Sequence, residues 1–438
     1  MGTLAMNKDN LNRSKIEQWK QKELFFLVAY AIVFYIIFIA RSLQLSRDHY
    51  SQLYGLRQGW LIPNHLNDMS DSQWRNFRGN LPVLTLVFGI FTLLANLMRA
   101  FFNLKVRGMS IVWLLFSLAY LSYLHGACVI FILSIATVNY LLVKERSLQS
   151  DKFRYTTYLC YLVYAPLYIA GPVLSFNAFA SQLDVPQNTY SVGNVMRYGF
   201  RWVLCLLLME LMTHVFYYNA FAMSGLWKQL SPVDVFIIGY GVLNFMWLKF
   251  LLLWRFFRFW SLINGIEAPE NMPKCINNCH SLEGFWKNWH ASFNKWLVRY
   301  MYIPLGGSQK KLLNIWVIFT FVAIWHDLEW KLLSWAWLTC IFFIPEMVLK
   351  SASKTFKAKS AFGEFIFREL SAVAGAVTIT CLMVANLVGF VVGPRGINWL
   401  LSSFISKEGF PVLGGLLITF YLATKFMFHI DEAKQRYS

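Results

Sequence analysis

The stretch FWKNWHASFNKWLVRYMYIPLGG at residues 285–307 places side chains that can exchange protons among large aromatic ones. His290 and Asn294 are four residues apart, and side chains at that spacing share one face of a helix. The aromatic residues around them recur at helical intervals, at positions 286, 289, 293, 296 and 300. This pattern predicts one amphipathic helix, which ends where Pro304 and the Gly306–Gly307 pair favour a turn.

A second histidine, His326, closes an apolar run that starts near Ile315 and leads into the sequence HDLEW. An ionisable side chain at membrane depth is costly, so it usually lines a cavity or serves a function. Histidine is also the side chain whose proton affinity lies nearest neutrality. The alternative interpretation is that His326, with Asp327 beside it, marks the end of a helix at the membrane surface.

The composition of the chain is that of a membrane protein. Of its 438 residues, 57% are hydrophobic and 14% are charged, whereas a soluble domain carries about a quarter charged residues. The net charge of +18 does not indicate nucleic-acid binding, because the basic residues flank apolar runs and form no single stripe. Lysine and arginine beside membrane spans instead indicate contact with membrane lipids.

The apolar runs predict an all-α, multi-pass protein. A hydrocarbon core about 30 Å thick needs roughly 20 apolar residues per helix, and on that basis we expect about 11 transmembrane helices. The candidate runs are 24–40, 81–98, 110–124, 126–143, 155–174, 199–218, 235–254, 312–326, 331–349, 370–392 and 411–428.

No soluble domain is apparent, so residues 1–438 are expected to form a single integral-membrane domain with a polar N-terminal segment at 1–23. Two long polar stretches, 41–80 and 263–311, interrupt the apolar sequence. Long loops of this kind are usually functional. The second stretch contains the opening motif, and we expect it to be an amphipathic or re-entrant active-site segment.

The cysteines do not indicate a metal site. Five of the seven fall inside apolar runs, where a thiol packs as a small hydrophobic group. Cys275, Cys279 and His280 resemble half a zinc site, but no second half follows at a normal spacing. The odd number of cysteines gives no disulfide framework. We therefore predict neither a bound metal nor a cofactor.

The motif around His290, extended to residue 309, together with FVAIWHD at 321–327, resembles the membrane-bound O-acyltransferases. The similarity is strongest to the branch that contains the fungal glycerol-uptake proteins and the Hedgehog acyltransferases. Three further stretches resemble that branch: DMSDSQWRNFRGNLP at 68–82, YAPLYIAGPVLSFNAF at 164–179 and INGIEAPENMPKC at 263–275. The resemblance thus extends over most of the chain.

This resemblance implies a many-helix fold that encloses a tunnel through the membrane. It implies that long-chain acyl-CoA is the co-substrate, with His326 at the family's catalytic histidine and His290 at its second site position. It also implies an acceptor and a location. The glycerol-uptake members imply the hydroxyl of a lyso-form glycosylphosphatidylinositol anchor lipid in the endoplasmic reticulum membrane, and the Hedgehog branch implies an amine on a secreted protein.

The chemistry of acyl transfer gives each polar residue an expected role. Transfer from a thioester needs a base and a group that stabilises the developing oxyanion. We expect neutral His326 to take the proton of the acceptor and His290 to orient the acceptor or donate to the oxyanion. Asn294 is expected to hold the tautomer of His290. Arg299 and Tyr300, with Lys295, are candidates for contact with the CoA phosphates.

Two other functions remain open from the sequence. Glu210 and His214 are four residues apart within an apolar run, and with Lys249 they would suit a multi-pass transporter of the proton-symport type. A catalytically silent relative that acts as a regulator is the second alternative. The presence of both His290 and His326 argues against it.

Overall fold

The computed structural model describes residues 2–102, 104, 106–146, 153–187, 189–355 and 361–437. Most of these residues lie in α-helices. The first nine are α1 Gly2–His49, α2 Ser72–Phe102, α3 Val106–His125, α4 Val129–Arg146, α5 Tyr155–Val163, α6 Ala165–Tyr168, α7 Phe176–Asp184, α8 Val192–Val215 and α9 Tyr218–Ser224. The other eight are α10 Pro232–Ile263, α11 Leu282–Asn288, α12 Ala291–Leu297, α13 Lys311–His326, α14 Trp330–Thr355, α15 Ala361–Leu387, α16 Ile397–Ile405 and α17 Gly409–Tyr437.

The polar stretch 41–80 contains a short β-hairpin, which the all-α prediction missed. Strand β1, Leu56–Gln58, pairs antiparallel with β2, Leu66–Asp68. The loop between the strands contains Asn64 at a φ of 61°, a left-handed conformation that asparagine tolerates better than most residues. The strands are only three residues long, too short for an alternating pattern to be visible in the sequence.

The predicted count of 11 transmembrane helices is not confirmed: the described residues contain seven helical segments that are long and apolar enough to cross a membrane. The bent pair α8 and α9, which meet at 50°, makes an eighth if it counts as one span. The seven are Gln18–Gln52, Ser72–Phe102, Gly108–Lys144, Pro232–Ile263, Trp330–Ser353, Phe362–Val392 and Gly409–Arg436.

The difference in number has a physical cause. The runs predicted at 110–124 and 126–143 form one candidate span, Gly108–Lys144, and the run at 155–174 is broken into the short helices α5 and α6. The run at 312–326 is α13, which has 16 residues and is shorter than the roughly 20 residues that a span needs. Hydropathy alone does not distinguish an apolar residue that faces lipid from one that faces protein.

Helix α10 lies at the centre of the fold. In its span, 67% of the residues are buried inside the protein, against 11% for α1 and 22% for α17. A helix that is apolar on all sides is normally buried in this way. Its N-terminus is capped by Ser231, which accepts a hydrogen bond from the amide of Asp234. The carboxylate of Asp234 also pairs with Arg41 of α1 at 2.7 Å, which fixes α1 against α10.

The segment 263–311 reaches the protein interior as a chain of short elements. The loop after α10 leads into α11 and α12, followed by a π-helical turn at Val298–Tyr302. Glu346 lies within α14, and its carboxylate accepts the amides of Leu282 and Glu283 at 2.6 and 3.3 Å. A carboxylate at this position satisfies the free amides of the α11 N-terminus. Helix α14 therefore holds the N-terminus of α11 in place.

Candidate active site

The predicted continuous helix through the opening motif is wrong, because the chain breaks at His290. Helix α11 ends at Asn288 and α12 begins at Ala291. His290 between them has φ 48° and ψ 51°, the left-handed conformation. For a residue with a Cβ atom this conformation costs about 1–2 kcal/mol. Such strain persists where the surrounding structure enforces it, and it is concentrated at functional sites.

Asn271, in the loop after α10, holds the chain in this broken form. Its backbone oxygen accepts the amide of Ala291 at 3.1 Å, and its side-chain oxygen accepts the amide of Ser292 at 3.0 Å. Ser292 in turn accepts the amide of Val173 through its hydroxyl at 2.8 Å. Asn271 thus caps α12 from outside the helix, and the His290 side chain is left free for another role. The sequence motif gave no signal for this contact.

The ring of His290 packs between aromatic residues from three elements. Trp254 of α10 stacks on it, with ring centroids 4.4 Å apart and an interplanar angle of 24°. Phe293 of α12 lies 5.1 Å from it, and Trp325 of α13 lies 6.2 Å from it. Phe293 and Trp325 are themselves stacked at 4.5 Å. These planes restrict how the imidazole can turn.

His326 is the last residue of α13, and Trp325 connects it to the surroundings of His290. The rings of Trp325 and His326 lie 4.8 Å apart, and Trp335 of α14 lies 6.4 Å from His326 on another side. Asp327 turns away into an extended conformation and accepts the amide of Leu328 with its carboxylate at 2.7 Å. Among the described residues, neither histidine ring has a hydrogen-bond partner.

Both histidines line the same cavity, which has a volume of about 1520 Å³. Its wall is formed by residues of α1, α2, α9 to α15 and α17, together with parts of the connecting loops. At one side, Tyr30 of α1 and Thr419 of α17 both line the cavity and share a hydrogen bond of 2.8 Å. The fold therefore places His290, at the break between α11 and α12, and His326, at the end of α13, in the wall of one cavity.

His290 is half-buried and His326 is exposed to the cavity that both line, and both lie outside the seven candidate spans. Desolvation by the surrounding protein, together with a smaller effect of repulsion from a charge on His326, lowers the pKa of His290 to about 3. Burial also lowers the pKa of His326 from its usual value. Desolvation disfavours the charged form of an imidazole. Both rings are therefore neutral near pH 7, and each can accept one proton and donate another.

The predicted supporting residues divide into two groups. Asn294 lines the cavity, but no hydrogen bond between its side chain and His290 is present in the described part of the chain. Lys295, Arg299 and Tyr300 are exposed and are not among the described residues that line the cavity. Their exposure favours contact with solvent or membrane surface over contact with a ligand held beside His290.

Glu210 and His214 form a structural network outside the cavity. The carboxylate of Glu210 accepts hydrogen bonds from Arg78 and from the indole of Trp60, both at 2.8 Å. His214 donates through Nδ1 to the backbone oxygen of Glu210 at 2.7 Å and accepts the amide of Trp60 at 3.1 Å. Neither residue lines the cavity. The pair holds the loop of the β-hairpin against α8.

A search of the described residues finds no group of three or more histidine, cysteine, aspartate or glutamate side chains placed to hold a metal ion. The seven cysteines are free thiols. The polar side chains that line the cavity include imidazole, amide, carboxylate and ammonium groups.

Comparison with known proteins gives a match over most of the chain. The sequence model of the MBOAT, membrane-bound O-acyltransferase family matches residues 17–384. The membrane-bound O-acyltransferase gup1 of Schizosaccharomyces pombe is 42% identical over 289 residues, which is 65% of this chain and 49% of that protein. The membrane-bound O-acyltransferase GUP2 of Saccharomyces cerevisiae is 34% identical over 297 residues, which is 68% of this chain and 48% of that protein.

A more distant relative has a different named activity. The protein-cysteine N-palmitoyltransferase HHAT of Mus musculus is 31% identical over 201 residues, which is 43% of this chain and 40% of that protein. The chain spans about half the length of the curated relatives it matches.

Proposed function

The chain belongs to the membrane-bound O-acyltransferase family, and from this premise we propose that it transfers a long-chain acyl group from acyl-CoA to an acceptor within the membrane. The observation that carries the proposal is that His290 and His326 line one cavity. Burial keeps both rings neutral near pH 7. A neutral imidazole can act as a general base, which a protonated one cannot.

The size of the cavity supports a large substrate. Pockets for small ligands are about 300–1,000 Å³, and this cavity is about 1520 Å³. Its aromatic and aliphatic wall suits an acyl chain, which gains about 0.8 kcal/mol for each methylene group that leaves water. A long acyl chain can therefore remain in an apolar environment while its thioester reaches the histidines.

In the proposed reaction, His326 is the general base. Its unprotonated ring nitrogen takes the proton from the acceptor hydroxyl while the oxygen attacks the thioester carbonyl carbon. The tetrahedral intermediate then collapses, the carbon–sulfur bond breaks, and the imidazolium returns the proton to the CoA thiolate. The products are the ester and free CoA, and His326 regains its neutral form. A base in this role contributes about 10²–10⁴-fold to the rate.

His290 is proposed to donate a hydrogen bond to the oxyanion of that intermediate. A donor of this kind is effective when it is fixed before the reaction begins. The stacking of Trp254 on His290 at 4.4 Å supports such a fixed orientation. Asn294 is assigned a place in the wall of the cavity, without the tautomer-setting role, because it does not bond to His290.

For the acceptor, we propose a hydroxyl of a membrane lipid of the lyso-form glycosylphosphatidylinositol type, in the endoplasmic reticulum membrane. The relatives named gup1 and GUP2, which cover more of this chain than HHAT does, support an oxygen acceptor through their description as O-acyltransferases. A protein amine is the alternative acceptor, because HHAT is named as an N-palmitoyltransferase that acts on protein cysteine.

The test uses the full chain purified into nanodiscs with palmitoyl-CoA and lysophosphatidylinositol. We expect His326→Ala to lower kcat by about 10²–10⁴-fold. The matched control is His65→Ala, since His65 is an exposed histidine that does not line the cavity. Acyl transfer by His326→Ala at the rate of the unmodified protein would end the assignment of the base.

The transporter alternative receives no support from the contacts of its key residues. Glu210 and His214 bond to Arg78 and Trp60 and do not line the cavity, so they offer no path for a proton coupled to a solute. The regulator alternative would be favoured if palmitoyl-CoA bound the purified protein and no acceptor were ever acylated.

A further inference from the structure

A buried ion pair lies in the cavity wall and takes no part in the proposed reaction. Lys249 of α10 donates to the carboxylate of Asp71, which directly precedes α2, at 2.8 Å. The side chains are 6% and 17% exposed, and both residues line the cavity. An ionisable residue near the middle of a membrane span is a candidate functional residue.

A row of aromatic rings connects this pair to the candidate active site. The ammonium group of Lys249 lies 4.9 Å from the ring of Phe250. Phe250 stacks on Trp254 at 5.2 Å, and Trp254 stacks on His290 at 4.4 Å. Lys249 and Trp254 are five residues apart, so their separation along α10 is about 7.5 Å. A single ligand could therefore contact Lys249 with one of its groups and reach His290 with another.

The wall around the ion pair also carries two side-chain amides, those of Gln73 and Asn219. Asn219 donates to the hydroxyl of Ser70 at 2.7 Å, which fixes its orientation. Its amide oxygen has no partner within the described residues, and the same holds for the whole side-chain amide of Gln73. An ammonium has three donor hydrogens, and Asp71 accepts one from Lys249.

This part of the wall is polar but nearly neutral, because the charges of Asp71 and Lys249 compensate each other. It offers hydrogen-bond donors from Lys249 and Gln73 and acceptors from Asp71 and Asn219. Such a balanced set matches hydroxyl groups, which donate and accept at once. An anionic phosphate would be repelled by Asp71. It would favour a cation such as Lys311 elsewhere in the wall, which has no carboxylate partner among the residues that the structure describes.

We propose that Asp71 and Lys249, with Gln73 and Asn219, bind the hydroxyl-rich headgroup of the acyl acceptor. This inference rests on the proposed function and specifies its acceptor as a lipid with a polyol head, such as an inositol or a sugar. The headgroup would exchange hydrogen bonds with these four residues, and the hydroxyl to be acylated would extend along the aromatic row toward His290.

The experiment compares two lipid acceptors that share an acyl chain, a phosphate and a free glycerol hydroxyl. Lysophosphatidylinositol carries a polyol head, and lysophosphatidic acid does not. We expect the unmodified protein to have the higher kcat/KM with lysophosphatidylinositol. Gln73→Ala should raise the KM for that lipid about 2- to 10-fold, the value of one net hydrogen bond. Its KM for lysophosphatidic acid and for palmitoyl-CoA should not change.

Gln73→Ala is the main variant because Gln73 is exposed and makes no hydrogen bond to the described protein, so its removal leaves the fold intact. Lys249→Met is the second variant and should cause a larger rise in the same KM. Gln52→Ala is the matched control, since Gln52 is an exposed glutamine outside the cavity wall. The proposal would be overturned if Gln73→Ala kept the unmodified protein's preference for lysophosphatidylinositol over lysophosphatidic acid. A rise in the KM for palmitoyl-CoA instead would overturn it as well.

A binding measurement separates this inference from the proposed function. In the His326→Ala protein, lysophosphatidylinositol should raise the Tm more than lysophosphatidic acid does, and adding Gln73→Ala should remove the difference. That result supports the headgroup site even where no turnover is detected. Equal shifts from the two lipids would refute the site whether or not the protein transfers acyl groups. Acylation of a peptide amine without any use of lysophosphatidylinositol would refute it as well.

Discussion

Trp254 and His290 are stacked face to face, with their ring centroids 4.4 Å apart, although they are 36 positions apart in the sequence. Trp254 belongs to the buried central helix α10, whereas His290 lies at a break between two short helices. Helix α10, through Trp254, therefore sets the plane of the His290 ring at the break between α11 and α12. Precise placement matters because a displacement of about 1 Å at a reacting group can cost 10²-fold in rate.

We predict that Trp254→Leu lowers kcat about 10- to 100-fold, because the imidazole of His290 is then free to turn. Trp254→Phe, which keeps a stacking surface, should recover part of the loss. The measurement is acyl transfer per folded molecule. Trp113→Leu serves as the control, since Trp113 is equally buried in the core and does not line the cavity. A similar loss of kcat in Trp113→Leu would contradict the role given to Trp254.

The left-handed conformation of His290 leads to a prediction about substitutions at this position. Asparagine adopts positive φ more readily than most residues, so His290→Asn should keep or raise the Tm, and its amide can still donate to an oxyanion. His290→Val should lower the stability by about 1–2 kcal/mol, because a branched Cβ is strained there. We therefore expect kcat to fall least in His290→Asn. A lower Tm for His290→Asn than for His290→Val would contradict the left-handed backbone conformation described for this position.

The lowered pKa of His326 predicts the pH dependence of the reaction. The base must be neutral, its usual pKa is about 6.5, and burial lowers it. Activity should therefore stay constant from about pH 8 down to 6.5 and fall only at lower pH. The measurement is kcat/KM against pH, and the residual activity of His326→Ala should lack this acid limb. A limb centred above pH 7 would be inconsistent with His326 as the base.

The pKa of about 3 for His290 gives a related effect on stability. In the unfolded protein this imidazole titrates near its usual value of about 6.5. Below that pH the unfolded state binds the proton and the folded state does not, so the free energy of unfolding decreases as the pH falls from 6.5 toward 3. The His290→Asn protein should show a weaker dependence over the same range.

Glu210 is predicted to matter for stability and not for the reaction. Its carboxylate is 5% exposed and accepts hydrogen bonds from Arg78 and Trp60. Removing one partner of a buried pair costs about 3–5 kcal/mol, so Glu210→Gln should lower the Tm clearly. Its kcat per folded molecule should remain unchanged. If Glu210→Gln instead abolished solute flux into proteoliposomes free of acyl-CoA, the transporter hypothesis would be favoured.

The sequence predicted the class of the protein and the two histidines because both depend on local patterns. The fraction of apolar residues indicated the membrane, and the polar residues within apolar runs indicated the site. The count of 11 spans was not confirmed, because the runs at 110–124 and 126–143 form one candidate span and α13 has only 16 residues. The β-hairpin was missed because its strands have only three residues each.

The finer geometry of the site could not be predicted, since it depends on contacts between distant residues. Spacing alone favoured a continuous helix through His290, and the break depends on the two hydrogen bonds from Asn271. The stacking of Trp254 and the pairing of Lys249 with Asp71, 178 positions away, have no local signature. Both become visible only when α10 is placed at the centre of the fold.

The contribution of both α1 and α17 to the cavity wall bears on how the protein is made. Tyr30 and Thr419, which bond across one side of the cavity, leave the ribosome at opposite stages of translation. Both histidines precede α17 in the sequence, so they are synthesised before this side of the cavity wall exists. This side of the cavity wall is therefore complete only after α17 has been synthesised and has packed against α1.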